Sequence, residues 1–92
     1  MNAQEQAYAY AKAIYESALE SWINNLSAAH QVYERDSSAQ EKARSEMKQT
    51  RLEVVDAILP AQASPEVRNF LAILAEKGHL DLLAPVVTTL KH

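Results

Sequence analysis

Ninety-two residues and 10.3 kDa are the size of one domain, and a second core of ordinary dimensions does not fit. With 48% apolar and 23% charged residues the chain has the composition of a folding globular protein; no apolar run approaches the ~18 residues of a spanning helix and no basic leader precedes a hydrophobic stretch, so the expected protein is soluble, untargeted and not inserted in a membrane. The absence of cysteine excludes disulfides, thiolate metal sites and thiol nucleophiles, and a net charge of -3 argues against DNA or RNA as a partner.

Sixteen alanines and ten leucines, against one glycine and three prolines, favour helix throughout and make the expected fold all-α. From Ala3 to Tyr33 there is neither glycine nor proline, and apolar residues recur at helical spacing: Tyr8, Ala11, Tyr15, Ala18, Leu19, Trp22, Leu26, Ala29, Tyr33. The span reads either as one helix of about 30 residues or as two that meet near Glu20 and Ser21, where Ser21 is a candidate cap. After the polar break Asp36-Ser37-Ser38, the S-x-x-E pattern from Ser38 to Glu41 fits a capping box and predicts a helix from near Ala39. That helix has a polar first half with only Ala43 and Met47 facing inward, and an apolar second half (Leu52, Val54, Val55, Ile58, Leu59) that Pro60 stops. Ser64-Pro65 and Lys77-Gly78 bracket another helix, from Pro65 to Lys77. A last helix carries Leu82, Leu83, Val86, Val87 and Leu90, with Asp81 as its candidate cap and Pro85 tolerated in or near the first turn.

The residues that catalysis would need are scarce and scattered. His30 has no second ligand at metal spacing along its helix face and reads as a packing or surface residue; His79 sits just past a helix C-terminus, where a cation suits the dipole and a cap role is structural. His92 is terminal, so the three histidines assemble no triad, general-base pair or zinc site. A single glycine cannot make a phosphate-cradling loop, and the stretch from Arg35 to Glu53 mixes five bases with four acids, as a solvated helix face does. The chain is expected to be no enzyme and to hold no cofactor and no metal.

Two helices carry more apolar surface than one core face requires. In the first, Ala3, Ala7, Tyr10 and Ile14 form a second stripe beside the main one, and it turns polar at Ser17 and Ser21. In the helix from Pro65, Val67, Phe70, Leu71 and Leu74 make the core stripe while Ile73 lies off it on the Phe70 flank. Such surface belongs either to helices buried on two sides or to a groove that takes a partner's amphipathic helix.

Three segments bear on that choice: Tyr10-Ala-Lys-Ala-Ile-Tyr15, Ser64-Pro-Glu-Val-Arg-Asn-Phe-Leu71 and Leu74-Ala-Glu-Lys-Gly-His-Leu-Asp-Leu-Leu83. In this order, over nearly all of the chain, they resemble the N-terminal domain of the delta subunit of F-type ATP synthase, the oligomycin-sensitivity-conferring protein of mitochondria. The resemblance implies a compact bundle of five to six helices and a non-catalytic joint in the peripheral stalk. Its partner would be the amphipathic N-terminal helix of an alpha subunit, held in a groove between the two helices with spare apolar surface. Carried over residue by residue, Tyr10, Ala13 and Ile14 would line one wall, and Ile73 with Phe70 and Arg68 the other; Tyr15 and Leu74 match the motifs as core residues.

The departures from the family concern the turn after the first helix, shortened to Glu20-Ser21, and the short third helix, where a polar capping region from Asp36 to Lys42 stands. The family's smaller second domain, which contacts the other stalk subunits, has no counterpart in these residues; the expectation is an excised domain or a truncated homologue. A bacterial member would work at the cytoplasmic face of the inner membrane, with an organellar equivalent. Two other readings fit the same surface: a generic helical adaptor with a different helical ligand, and a bundle that buries its extra stripe by self-association.

Overall fold

The computed structural model describes residues 2–92, and among them there are five α-helices, one 3-10 turn and no strand. The helices are α1 (Ala3–Arg35), α2 (Ser37–Ala43), α3 (Lys48–Ile58), α4 (Pro65–Glu76) and α5 (Leu83–Lys91), with the 3-10 turn at Leu80–Leu82. This is the expected all-α bundle, within the expected helix count. The choice left open by the sequence at Glu20-Ser21 falls to one helix, for α1 runs unbroken through 33 residues. Asn2 caps it, its side chain accepting from the Glu5 N–H at 2.8 Å while the Glu5 carboxylate accepts from the Asn2 N–H.

At 1.5 Å per residue α1 is about 50 Å long, and it sets the long dimension of a molecule measuring 56 × 21 × 20 Å. Only its C-terminal half belongs to the bundle, where it packs mainly on α5 and also on α2 and α3. Residues 3–18 are all exposed and form an arm beyond the bundle. The expected core stripe is therefore only half right: Leu26 and Ala29 are buried and Trp22 and Tyr33 pack against the core, but Tyr8 and Tyr15 are 70% and 67% exposed and Ala11 and Ala18 are also exposed. The periodicity is real, but in the arm no other element lies against it.

Asp36 joins α1 to α2. Its N–H donates to the Tyr33 carbonyl at 3.3 Å, and its side chain accepts from the Ala39 N–H at 3.0 Å as the N-cap of α2. The predicted Ser38–Glu41 capping box is thus displaced: the cap lies two residues earlier, and Ser38 is inside the helix. The Gln40 amide closes the corner, donating to the Tyr33 and Glu34 carbonyls at 2.8 and 3.1 Å, in the last turn of α1 where carbonyls lack helical partners beyond the Asp36 N–H.

The helix expected from Ala39 to Leu59 is two helices with a break between Arg44 and Met47. Met47 does not face inward; it takes an extended conformation as the N-cap of α3 and is 66% exposed. Arg51 holds the break in place. Its guanidinium donates to the Ser45 carbonyl at 2.9 Å in the break, and to the Ala75 and Glu76 carbonyls at 3.1 and 2.7 Å at the end of α4. Cation and helix C-terminus attract, so one side chain ties three segments together. Leu59 ends α3 in an extended conformation, as a residue before proline prefers.

The signals for α4 are met. Ser64 accepts from the Val67 N–H at 3.3 Å, and Pro65 opens the helix. At its other end the Gly78 and His79 N–H groups donate to the Ala75 and Leu74 carbonyls at 3.1 and 2.7 Å, with Gly78 at φ 72°, the left-handed geometry that glycine adopts without cost. His79 closes the helix through its backbone, while its side chain is exposed. Asp81 does not cap the last helix: it lies within the 3-10 turn, and α5 starts at Leu83 with no side-chain cap and Pro85 in its first turn. The core joins Leu26 and Ala29 of α1, Val54, Val55 and Ile58 of α3, Val67, Leu71, Leu74 and Ala75 of α4, and Leu80, Leu83 and Val87. Full burial of each larger aliphatic side chain contributes about 1.5–3 kcal/mol.

Candidate functional site

The six residues expected to line a partner groove fall in two places. Tyr10, Ala13 and Ile14 are on the arm, and Tyr10 and Ile14 are 73% and 71% exposed. Being four residues apart, these two point from one face, and the exposed Lys12–Glu16 ion pair, at 3.9 Å, lies on the opposite side of the helix. The other three are on α4. Phe70 is half-buried against Trp22 of α1, the ring centroids 5.9 Å apart in an edge-to-face contact. Ile73, 51% exposed, continues that flank outward.

Arg68 does not share this flank. Five residues from Ile73, it is turned about 140° around the helix axis and bonds the Asp56 carboxylate of α3 at 2.8 Å. It belongs to the α3–α4 seam, with its charge already partnered.

The two walls are also separated along α1. Ile14 and Tyr10 precede Trp22 by eight and twelve residues, so they stand about 12 and 18 Å along the axis from the residue that touches Phe70. The structure brings Phe70 to the root of the arm but does not face Ile73 with Tyr10. What it presents is an elongated surface, the bare arm followed by the Trp22–Phe70 contact. A second apolar surface lies on α5, an open groove of about 310 Å³ lined by Leu82, Pro85, Val86, Thr89 and Leu90. Sequence reasoning placed Leu82, Val86 and Leu90 on the last helix without asking which side each faces; the signal was a helix with apolar residues on more than one side.

A polar concavity of about 490 Å³ lies at the other end of α1 between His30, Tyr33, Gln40, Arg44 and Asp81. Burial raises the Tyr33 phenol above the usual tyrosine range; Arg44 opposes that, and Asp81 and Glu34 add to it. His30 Nε2 is 3.7 Å from the Glu34 carboxylate, and its buried Nδ1 has no hydrogen-bond partner. No nucleophile is paired with a base here, and among the described residues no group of three His, Asp or Glu side chains is placed to hold a metal. Nor is any helix among them long and apolar enough to cross a membrane.

No curated protein and no solved structure matches the chain significantly. A family model, described as ATP synthase delta (OSCP) subunit, matches residues 7–92, which takes in most of the arm and every helix of the bundle. On that match, extending over more than nine-tenths of its length, the chain belongs to the ATP synthase delta (OSCP) subunit family.

Proposed function

We propose that the chain is a non-catalytic component of the peripheral stalk of F-type ATP synthase. In this reading it binds the amphipathic N-terminal helix of an alpha subunit at the tip of the catalytic head and so holds the stator against rotor torque, and a bacterial member does this at the cytoplasmic face of the inner membrane. The observation that supports the reading is the pair Tyr10 and Ile14, two large apolar side chains four residues apart on one exposed helix face. A partner helix laid along the arm would cover both and would extend toward Phe70 and Ile73 at the root. No bond is made or broken in such a role. What is needed is a stiff element with anchors, and an uninterrupted helix of 33 residues supplies the stiffness.

The test is titration with a synthetic N-terminal peptide of the cognate alpha subunit, about 20 residues long, following Trp22 fluorescence and peptide helicity together. Saturable binding with a gain in helix supports the reading, and Tyr10→Asp weakens it while leaving the domain helical. A folded domain that ignores the peptide at high micromolar concentration overturns it and leaves a helical adaptor with another ligand. A second variant, Arg68→Ala, is expected to bind as wild type because its guanidinium is engaged by Asp56.

A further inference from the structure

Three helices end at the polar concavity of about 490 Å³. Tyr33 and Glu34 lie in the last turn of α1, Ala43 is the last residue of α2, and Gly78 follows the C-cap of α4. The dipole of a helix is negative at its C-terminus, so three such ends meeting at one hollow give it a field that attracts cations. Arg51 answers part of that field at α4, but it is not among the lining residues. The side chains agree in sign with the backbone. Glu34 and Asp81 set two exposed carboxylates on the lining, and Asp81 takes part in no ion pair among the described residues. Gln40 spends its amide N–H groups on the Tyr33 and Glu34 carbonyls, so it can offer a ligand only its oxygen. His30 turns Nε2 to the Glu34 carboxylate at 3.7 Å, which keeps a proton on that nitrogen and leaves the buried Nδ1 as a lone pair without a donor. Against these acceptors stands one lining cation, the exposed Arg44.

We infer that this hollow receives a guanidinium, presented as the arginine side chain of another protein chain. A guanidinium carries five N–H donors in one plane and can serve two carboxylates, an amide oxygen and an imidazole nitrogen together, which a compact ammonium does less well. Buried Ala43 and Leu80 give the aliphatic stem an apolar floor, and the Tyr33 ring gives a flat cation a surface to stack on. A free arginine would bring its own carboxylate into the same negative field, whereas an arginine within a chain brings none. His30 lies twenty residues beyond Tyr10, about 30 Å along α1, so this contact is separate from the alpha-subunit surface proposed on the arm.

Titration of the isotope-labelled chain with N-acetyl-arginine amide, followed by amide chemical shifts at constant ionic strength, tests the site. N-acetyl-norvaline amide serves as the probe without a guanidinium. The expected result is a saturable shift at Tyr33, Gln40, Gly78 and Asp81 with the arginine probe only, and weaker binding of free arginine. Glu34→Gln and Asp81→Asn, both at exposed positions, should each weaken the arginine probe about threefold, and Arg44→Gln should strengthen it by a similar factor. Equal shifts with the norvaline probe overturn the inference, as does an affinity that neither carboxamide variant changes. Inorganic phosphate that saturates the same residues and is lost in Arg44→Gln would make this an anion site instead. Free arginine binding more tightly than its amide would overturn the assignment to a protein chain. None of these outcomes involves the arm, so the alpha-subunit reading stands or fails separately.

Discussion

Trp22 and Phe70 meet edge to face, with ring centroids 5.9 Å apart and planes at 76°. Trp22 is the first aromatic residue of α1, counted from the N-terminus, to pack against the core, so this contact marks the point where the arm becomes part of the bundle. Trp22→Ala removes both the ring burial and the edge-to-face contact. Because Trp22 is half-buried, the expected loss is about 2–3 kcal/mol, below that of a fully enclosed ring. Urea denaturation followed by circular dichroism should show a lower midpoint at an unchanged slope.

Tyr15 and Leu74 look equivalent in the sequence, since each lies on the apolar stripe of its helix and each matches a family motif as a core residue. The structure separates them: Tyr15 is 67% exposed and Leu74 is buried. Leu74→Ala should cost about 2–5 kcal/mol, whereas Tyr15→Ala at low protein concentration should change stability by no more than about 0.5 kcal/mol. Denaturation of the two variants side by side checks the contrast, and equal losses would mean that the arm packs on its own bundle.

The guanidinium of Arg51 satisfies three carbonyls on two segments distant in sequence from each other. Arg51→Gln should cost about 2 kcal/mol, because part-buried acceptors lose charge-assisted bonds and the end of α4 loses a cation. Hydrogen exchange should speed up both in the 44–47 break and in the last turn of α4. Acceleration confined to α3 would contradict the assigned contacts.

The corner at Asp36 gives a sharper comparison. Asp36→Ala removes the N-cap of α2 and should cost about 1 kcal/mol, while Ser38→Ala, inside the helix, should be nearly neutral. A capping box at Ser38 demands the opposite order, so two thermal melts decide between them.

The legible parts of this fold were those fixed by short-range chemistry. Ser64-Pro65 and Lys77-Gly78 define α4 because a hydroxyl acceptor, a proline without an N–H and a glycine at positive φ each answer a local need of a helix end. The break at 44–47 left no such mark, since Arg44, Ser45, Glu46 and Met47 include no glycine or proline; it is held by Arg51, whose acceptors near residue 75 have no expression in the local pattern. The apolar faces of the candidate surface were equally plain as periodicity. Periodicity assigns residues to a face but not a neighbour to that face, so it could not tell that Tyr15 would stand bare or that Arg68 would turn to Asp56.

Asp36 ends one helix with its backbone and starts the next with its side chain, and no other residue lies between Arg35 and Ser37. A joint with no spare residue has no play in it. If α1 rolls about its long axis or is pulled sideways at its tip, α2 must turn with it, and the Gln40 amide latched to the last carbonyls of α1 keeps the two in register. A displacement applied at Tyr8 would therefore arrive, through a rod of about 50 Å, at the far end of the bundle as a rotation, in the manner of a crank fixed to its shaft.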